Sequence, residues 1–185
     1  MKKLVMTFAA VLCCALVSST FTACGKDDAD KGSTPTDNTP AKVTMTFSTE
    51  VSADMLEYFD IVMVYNDGTG EKKDAVTSNK WTKTLIANLP VTMSFKRQIT
   101  VKPAKYDALV AATKVTTTKK YSYAYDILNA AGKSINLGDS YSGPSSSVDG
   151  KGELVAKQAN AGKYDSNWTY VFDTNGRLAS TVATK

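Results

Sequence analysis

The chain has 185 residues, 22 Lys and Arg against 18 Asp and Glu for a net charge of +4, and no histidine. Without histidine, Ser–His–Asp triads, Cys–His pairs, His-rich zinc sites and haem ligation are all ruled out. The positive charges are scattered along the chain, so they form no electrostatic footprint for a nucleic acid.

Met1-Lys2-Lys3 is followed by an apolar stretch from Leu4 to Val17, broken only by Thr7, and then by small polar residues to Ala23. This is the three-part order of a secretory signal peptide over residues 1–23. As a membrane span it is too short, because crossing takes about 20 apolar residues; no later stretch reaches that length. The segment ends Phe21-Thr22-Ala23-Cys24-Gly25. It resembles the bacterial lipobox, with Phe21 standing where Leu is usual. The resemblance implies that Cys24 is the first residue of the mature protein and carries lipid, each buried CH₂ adding about 0.8 kcal/mol of membrane affinity. The alternative, ordinary signal-peptidase cleavage after Ser19, would leave Cys24 as an odd thiol in an oxidising compartment. Cys13 and Cys14 fall inside the signal and no cysteine follows Cys24, so the remainder has no disulfide.

Residues 25–41, GKDDADKGSTPTDNTPA, offer almost nothing to bury. With Cys24 they read as a lipidated, disordered tether over 24–41, able to reach roughly 55 Å at full extension. Lys26-Asp27-Asp28 resembles the surface-export signal of Bacteroidetes lipoproteins. That resemblance implies an outer-membrane lipoprotein facing outward; a merely solvated acidic linker, with the protein on the inner leaflet, is the alternative.

Residues 42–185 read as one domain, long enough to build a core without staples. Val43, Met45 and Phe47 alternate with Thr44, Thr46 and Ser48, the period of a half-buried strand. Further strands are expected at Phe59–Tyr65, Trp81–Ala87, Thr92–Val101, Tyr106–Val115, Tyr121–Leu128, Ser134–Leu137, Asn167–Phe172 and Arg177–Ala183. Asn66–Gly70 and Asp173–Gly176 have the Asn/Asp/Gly chemistry of hairpin turns, and Pro90 and Pro103 fall between strands. Gly152–Ala161 reads instead as a short helix stopped by Gly162. Tyr106–Val115 has a helical alternative, opposed by the Thr and Val at its end and by Pro103 before it.

Eight or nine short strands with one helix near residues 151–161 predict an all-β fold, an antiparallel immunoglobulin-like β-sandwich. Lipid signal, polar tether and a sandwich containing the string KYDALVAA together resemble Bacteroidetes surface lipoproteins of the fimbrillin-like or uncharacterised sandwich kind. Fimbrillin-type maturation cleaves after an Arg near the N-terminus. Arg97 and Arg177 are the only arginines here, so that route lacks its site.

Several strings invite a chemical reading and do not sustain it. Gly138-Asp139-Ser140 looks like a hydrolase nucleophile motif without the histidine such enzymes need, and reads as a turn. Gly68-Thr69-Gly70 begins a dinucleotide-binding pattern, but Lys73 takes the third glycine's place. No Ser precedes a Lys by three residues, and Asp149–Gly152 lacks the spaced ligands of a calcium loop. Asp60, Asp107 and Asp126 each follow an aromatic residue, and a glycosidase needs only two carboxylates at the right separation. Solvent-facing or capping Asp is the plainer reading, so no catalytic residue, metal site or cofactor is expected.

Binding is better provided for. Tyr121, Tyr123 and Tyr125 fall on one face of a strand, as a core face or as a platform for a sugar ring or partner. Trp81 and Trp168, both at strand beginnings, offer the same choice. Lys72-Lys73, Lys96-Arg97 and Lys119-Lys120 read as guards of sheet edges. The expectation is a non-catalytic binding or adhesion module held to the membrane through Cys24, with a glycan or protein partner and no nucleic acid. The alternative is a glycan-binding accessory lipoprotein of an outer-membrane nutrient-uptake system, and a carboxylate glycosidase comes third.

Overall fold

The structure, a computed structural model, describes residues 37–184. The signal sequence, Cys24 and the Lys26-Asp27-Asp28 cluster lie outside the described residues. Where hydrophobic residues alternate, strands form: β1 (Lys42–Glu50), β2 (Phe59–Asn66), β4 (Lys80–Asn88), β5 (Val91–Val101), β6 (Val115–Leu128) and β9 (Ser166–Phe172). The sheets are completed by β3 (Glu71–Ala75), β7 (Ser134–Ser142), β8 (Ser146–Gly150) and β10 (Leu178–Thr184). One sheet has the order β4-β1-β6-β7, with β8 also paired to β6; the other runs β10-β9-β5-β2-β3. All pairings are antiparallel. The fold is thus an all-β sandwich. β1 pairs with β4 in one layer and β2 with β5 in the other, the crossed pairing of strands B, E, C and F in immunoglobulin-like sandwiches.

The described residues form ten strands and three α-helices, not eight or nine strands and one helix. Helix α3 (Gly152–Asn160) lies where the sequence placed it, and Gly162 follows with φ +67°, the left-handed stop that glycine adopts freely. Helix α1 (Ala53–Tyr58) is started by Ser52, whose hydroxyl accepts from the Met55 N–H at 3.2 Å. Helix α2 (Tyr106–Ala111) replaces the strand expected over Tyr106–Val115. Pro103 opens the turn Pro103–Lys105 that leads into α2, using proline's preset φ to start a helix rather than to end a strand. Gly138-Asp139-Ser140 is not a turn but the middle of β7. A Cβ on Gly138 would sit 2.5 Å from the Tyr125 carbonyl oxygen, so glycine lets β7 come this close to β6.

The inner faces of both sheets supply the core. Val43, Met45 and Phe47 of β1 meet Ile61, Met63 and Tyr65 of β2, Met93 and Phe95 of β5, and Trp168, Tyr170 and Phe172 of β9. The outer face of β1 is hydroxylated: Thr46 and Thr84 are 2.8 Å apart across the ladder, as are Ser48 and Thr82. Such cross-strand pairs help hold register.

The lysine pairs divide. Lys72-Lys73 lies on β3, at the end of its sheet, where a guard is needed. Lys119-Lys120 lies on the internal strand β6, with Lys120 Nζ 2.8 Å from Glu50. Lys96-Arg97 is on β5, flanked by β9 and β2, and the edge reading fails there. Arg97 points inward and is 1% exposed. Its guanidinium donates to Thr49 Oγ1 at 3.4 Å, the Tyr164 carbonyl at 3.2 Å and Ser166 Oγ at 3.4 Å. Burial lowers its pKa to about 10, with Asp165 acting in the opposite direction.

The chain enters the sandwich before β1 begins. The Asn129 side-chain amide donates to the Asp37 carbonyl at 2.7 Å. The Ala41 N–H donates to Leu128 O and the Ala41 carbonyl accepts from the Leu89 N–H, both at 2.9 Å. Residues 37–41 of the expected tether are therefore held against the sheet that contains β4 and β6.

Candidate binding strip of tyrosines

Strand β6 runs between β1 and β7, and its odd-numbered residues face inward. Tyr121, Tyr123 and Tyr125 stand opposite Thr49, Phe47 and Met45 on β1. On the other side, Tyr123 is opposite Tyr141 and Tyr125 opposite Asp139. The three β6 tyrosines are half-buried and Tyr141 is 41% exposed, so together they form a strip along the open side of the sandwich. Tyr141 stacks near Tyr123 (centroids 5.7 Å apart, planes 25° apart) and lies 5.4 Å from Tyr121. Behind them the strip is rigid. Tyr121 meets Trp168 at 5.3 Å, Tyr123 meets Tyr170 edge-on at 4.9 Å, and Tyr125 meets Phe172 at 5.0 Å.

At its far end the strip runs into a groove of about 540 Å³, where Tyr125 is joined by Asn38, Pro40, Leu137, Arg177 and Leu178. A larger hollow of about 650 Å³ lies by the β2–β3 turn and Pro90. Its carboxylate, Asp67, is already held by Lys72 at 2.7 Å and by the Thr69 hydroxyl at 2.6 Å, and no open aromatic face lines it.

Trp81 and Trp168 are corrected by the structure. They are 8% and 5% exposed, packed on Phe47 at 6.5 and 5.0 Å, and offer no open ring. Tyr121, Tyr123 and Tyr125 do retain open edges. The three aspartates are not brought together. Asp60 and Asp126 are even-numbered positions on β2 and β6, and so project from the outer faces of different sheets; Asp107 lies on α2. Among the described residues no group of three or more Asp or Glu could hold a metal ion, and no helix is long and apolar enough to cross a membrane. Reading the sequence missed Tyr141, Asp139, Leu137 and Arg177 as members of the strip and groove. Taking Gly138–Ser140 as a turn cut β7 short. Continuing its alternation to Ser142 would have placed Tyr141 beside Tyr123.

Burial raises the pKa of Tyr121, Tyr123, Tyr125, Tyr164 and Tyr170, with further increments from neighbouring phenols or from Asp139 on all but Tyr164. An acid whose folded pKa is raised contributes stability below its unfolded pKa, about 10 for tyrosine, and loses it as pH rises beyond. Arg97 works in the opposite sense between about 10 and its usual value, but it is one group against five. The fold is therefore expected to weaken as pH climbs above about 10. Followed by phenolate absorbance, the buried Tyr164 and Tyr170 should ionise only as the protein unfolds, and the half-buried Tyr121, Tyr123 and Tyr125 later than exposed tyrosines. A single wave of all nine tyrosines near the ordinary pKa, with the far-ultraviolet spectrum intact, would contradict the burial described. Compared with protein families, curated proteins and solved structures, the chain matches none of them.

Proposed function

We propose that the protein is a lipid-anchored cell-surface protein whose sandwich domain binds a partner without catalysing a reaction. The observation that carries the binding reading is the tyrosine strip, four partly open rings fixed on strands and backed by core aromatics. The anchor rests on the signal sequence ending at Cys24, and the outward location on Lys26-Asp27-Asp28. The glycan-accessory reading is favoured by one specific feature: partly open tyrosine rings rimmed by hydroxyls and a carboxylate suit a polyhydroxylated ring.

Metabolic labelling with a clickable fatty acid tests the anchor. Wild-type protein should carry label, and Cys24→Ser should lose it and leave the membrane fraction. Label retained by Cys24→Ser removes the anchor from the proposal. Protease treatment of intact cells should degrade the wild-type domain if it faces outward.

A further inference from the structure

Beneath the strip, Tyr170 is wholly buried on β9 and its hydroxyl has no hydrogen-bond partner among the described residues. Its ring meets Phe95 at 6.2 Å and Phe47 at 6.4 Å on the core side, and Tyr123 at 4.9 Å on the strip side. It projects from the inner face of β9 toward the other sheet, edge-on to Tyr123, which sets its phenol beneath the strip. A buried hydroxyl left unbonded destabilises a fold. A phenylalanine would fill the same space without that cost. Tyr141 is the most exposed of the rings grouped with it, and a rotamer change there would open the way to Tyr170 without moving a strand.

The rim chemistry narrows the ligand. The Tyr121 and Tyr141 hydroxyls bond each other and that of Tyr123 bonds Thr181, each keeping spare capacity to donate or accept beside the Tyr125 hydroxyl, and Asp139, opposite Tyr125, only accepts. This set matches a ligand rich in hydroxyl donors. An anionic sugar at the ring pair would meet the Asp139 carboxylate as a like charge, since the nearby cation, Arg177, stands in the groove beyond Tyr125.

We infer that the strip is a subsite for an uncharged glycan, with a sugar ring seated between Tyr123 and the displaced Tyr141 ring and one of its hydroxyls bonded to Tyr170 Oη. This rests on the binding reading above and names its ligand class. Asp139 accepts from a second sugar hydroxyl, and the groove beyond Tyr125 receives the next unit of the chain.

The test uses the full-length protein in detergent. The probes are short neutral β-glucan and mannan oligosaccharides, with a polyuronate of equal length as the charged comparison. A neutral oligosaccharide should bind the wild type. Tyr141→Ala should weaken binding about tenfold and Tyr141→Phe much less, both with an unchanged Tm because Tyr141 is partly exposed. Tyr170→Phe decides the matter, because it should raise Tm while weakening the neutral glycan about fivefold. A raised Tm with unchanged affinity would overturn the contact to Tyr170. Tighter binding of the polyuronate would overturn the uncharged class. If no oligosaccharide binds, yet the protein adheres to cells or matrix protein through Tyr141, the inference fails and the binding reading stands. If nothing binds, both fail.

Discussion

Phe47→Ala is expected to lower the stability of the domain by about 4 kcal/mol. Phe47 is fully buried on β1, in the middle of one sheet, yet its main contacts are with the other. Its ring stacks on Phe95 at 4.4 Å, lies 5.0 Å from Trp168 and 6.4 Å from Tyr170, and reaches Tyr121 at 6.1 Å and Trp81 at 6.5 Å. Removing it costs the transfer energy of the ring and leaves a hole that five other rings line. Each of those rings is fixed to a strand of a hydrogen-bonded ladder, so the hole closes only by bending a sheet. Urea melts should show a lower midpoint at constant slope. A loss under about 1 kcal/mol would mean that the cluster collapses around the cavity, contrary to the rigidity argued above. Tyr121 also rests on this ring, so the strip should loosen and its affinity fall with the stability.

Gly152→Ala is expected to destabilise by about 3 kcal/mol, against the usual trend of glycine replacement in helices. Gly152 is the first residue of α3, and alanine there gains about 1 kcal/mol of helix propensity. Sterics act the other way. A Cβ at this position would overlap the Leu109 carbonyl and lie 3.0 Å from the Ala112 carbonyl oxygen. Both are backbone atoms at the end of α2, which cannot swing aside as a long side chain would. The Gly152 N–H also donates to the Ala112 carbonyl at 2.9 Å. Separating α2 from α3 would break that bond and uncover Leu109 and Val155, both buried. Overlap therefore outweighs propensity. Glu153→Ala, one residue on and exposed, should be close to neutral in the same thermal melts. Gly152→Ala melting above the wild type would refute the close approach of the two helices.

Strands were legible where one face is buried and the other wet. β1 and β5 alternate cleanly, and the β2–β3 and β9–β10 turns carry the Asn, Asp and Gly that hairpins use. The strands that escaped detection are those whose side chains are exposed. Glu71-Lys72-Lys73-Asp74-Ala75 and Ser146–Gly150 contain no alternation, and they are strands because β2 and β6 offer them a free edge to pair with. Arg97 illustrates the opposite failure. An arginine within a strand reads as solvated, and nothing local reveals that Thr49, Tyr164 and Ser166 will converge on it from distant parts of the chain. The fate of the tryptophans was undetermined for a similar reason: position at a strand's beginning does not say which sheet will cover the ring. The strip was half legible. Its β6 tyrosines follow from alternation, whereas Tyr141, Asp139 and the orphaned Tyr170 hydroxyl depend on how β7 and β9 lie against them.

The way the chain enters the sandwich has a mechanical consequence. A load between Ala41 and something gripped at Tyr141 passes from β1 through β6 into β7. β1 is paired from Lys42 to Glu50 with β4 on one side and β6 on the other, and antiparallel hydrogen bonds lie across the strands. Pulling β1 by its leading end therefore loads both ladders in shear, with all their bonds sharing the force, instead of peeling them one pair at a time. The first joints in the line are the bonds from Ala41 to Leu128 and Leu89 and from Asn129 to Asp37, which act as a clasp where tension enters. A sandwich loaded in this way resists being drawn out at its N-terminal end far better than its thermal stability alone suggests.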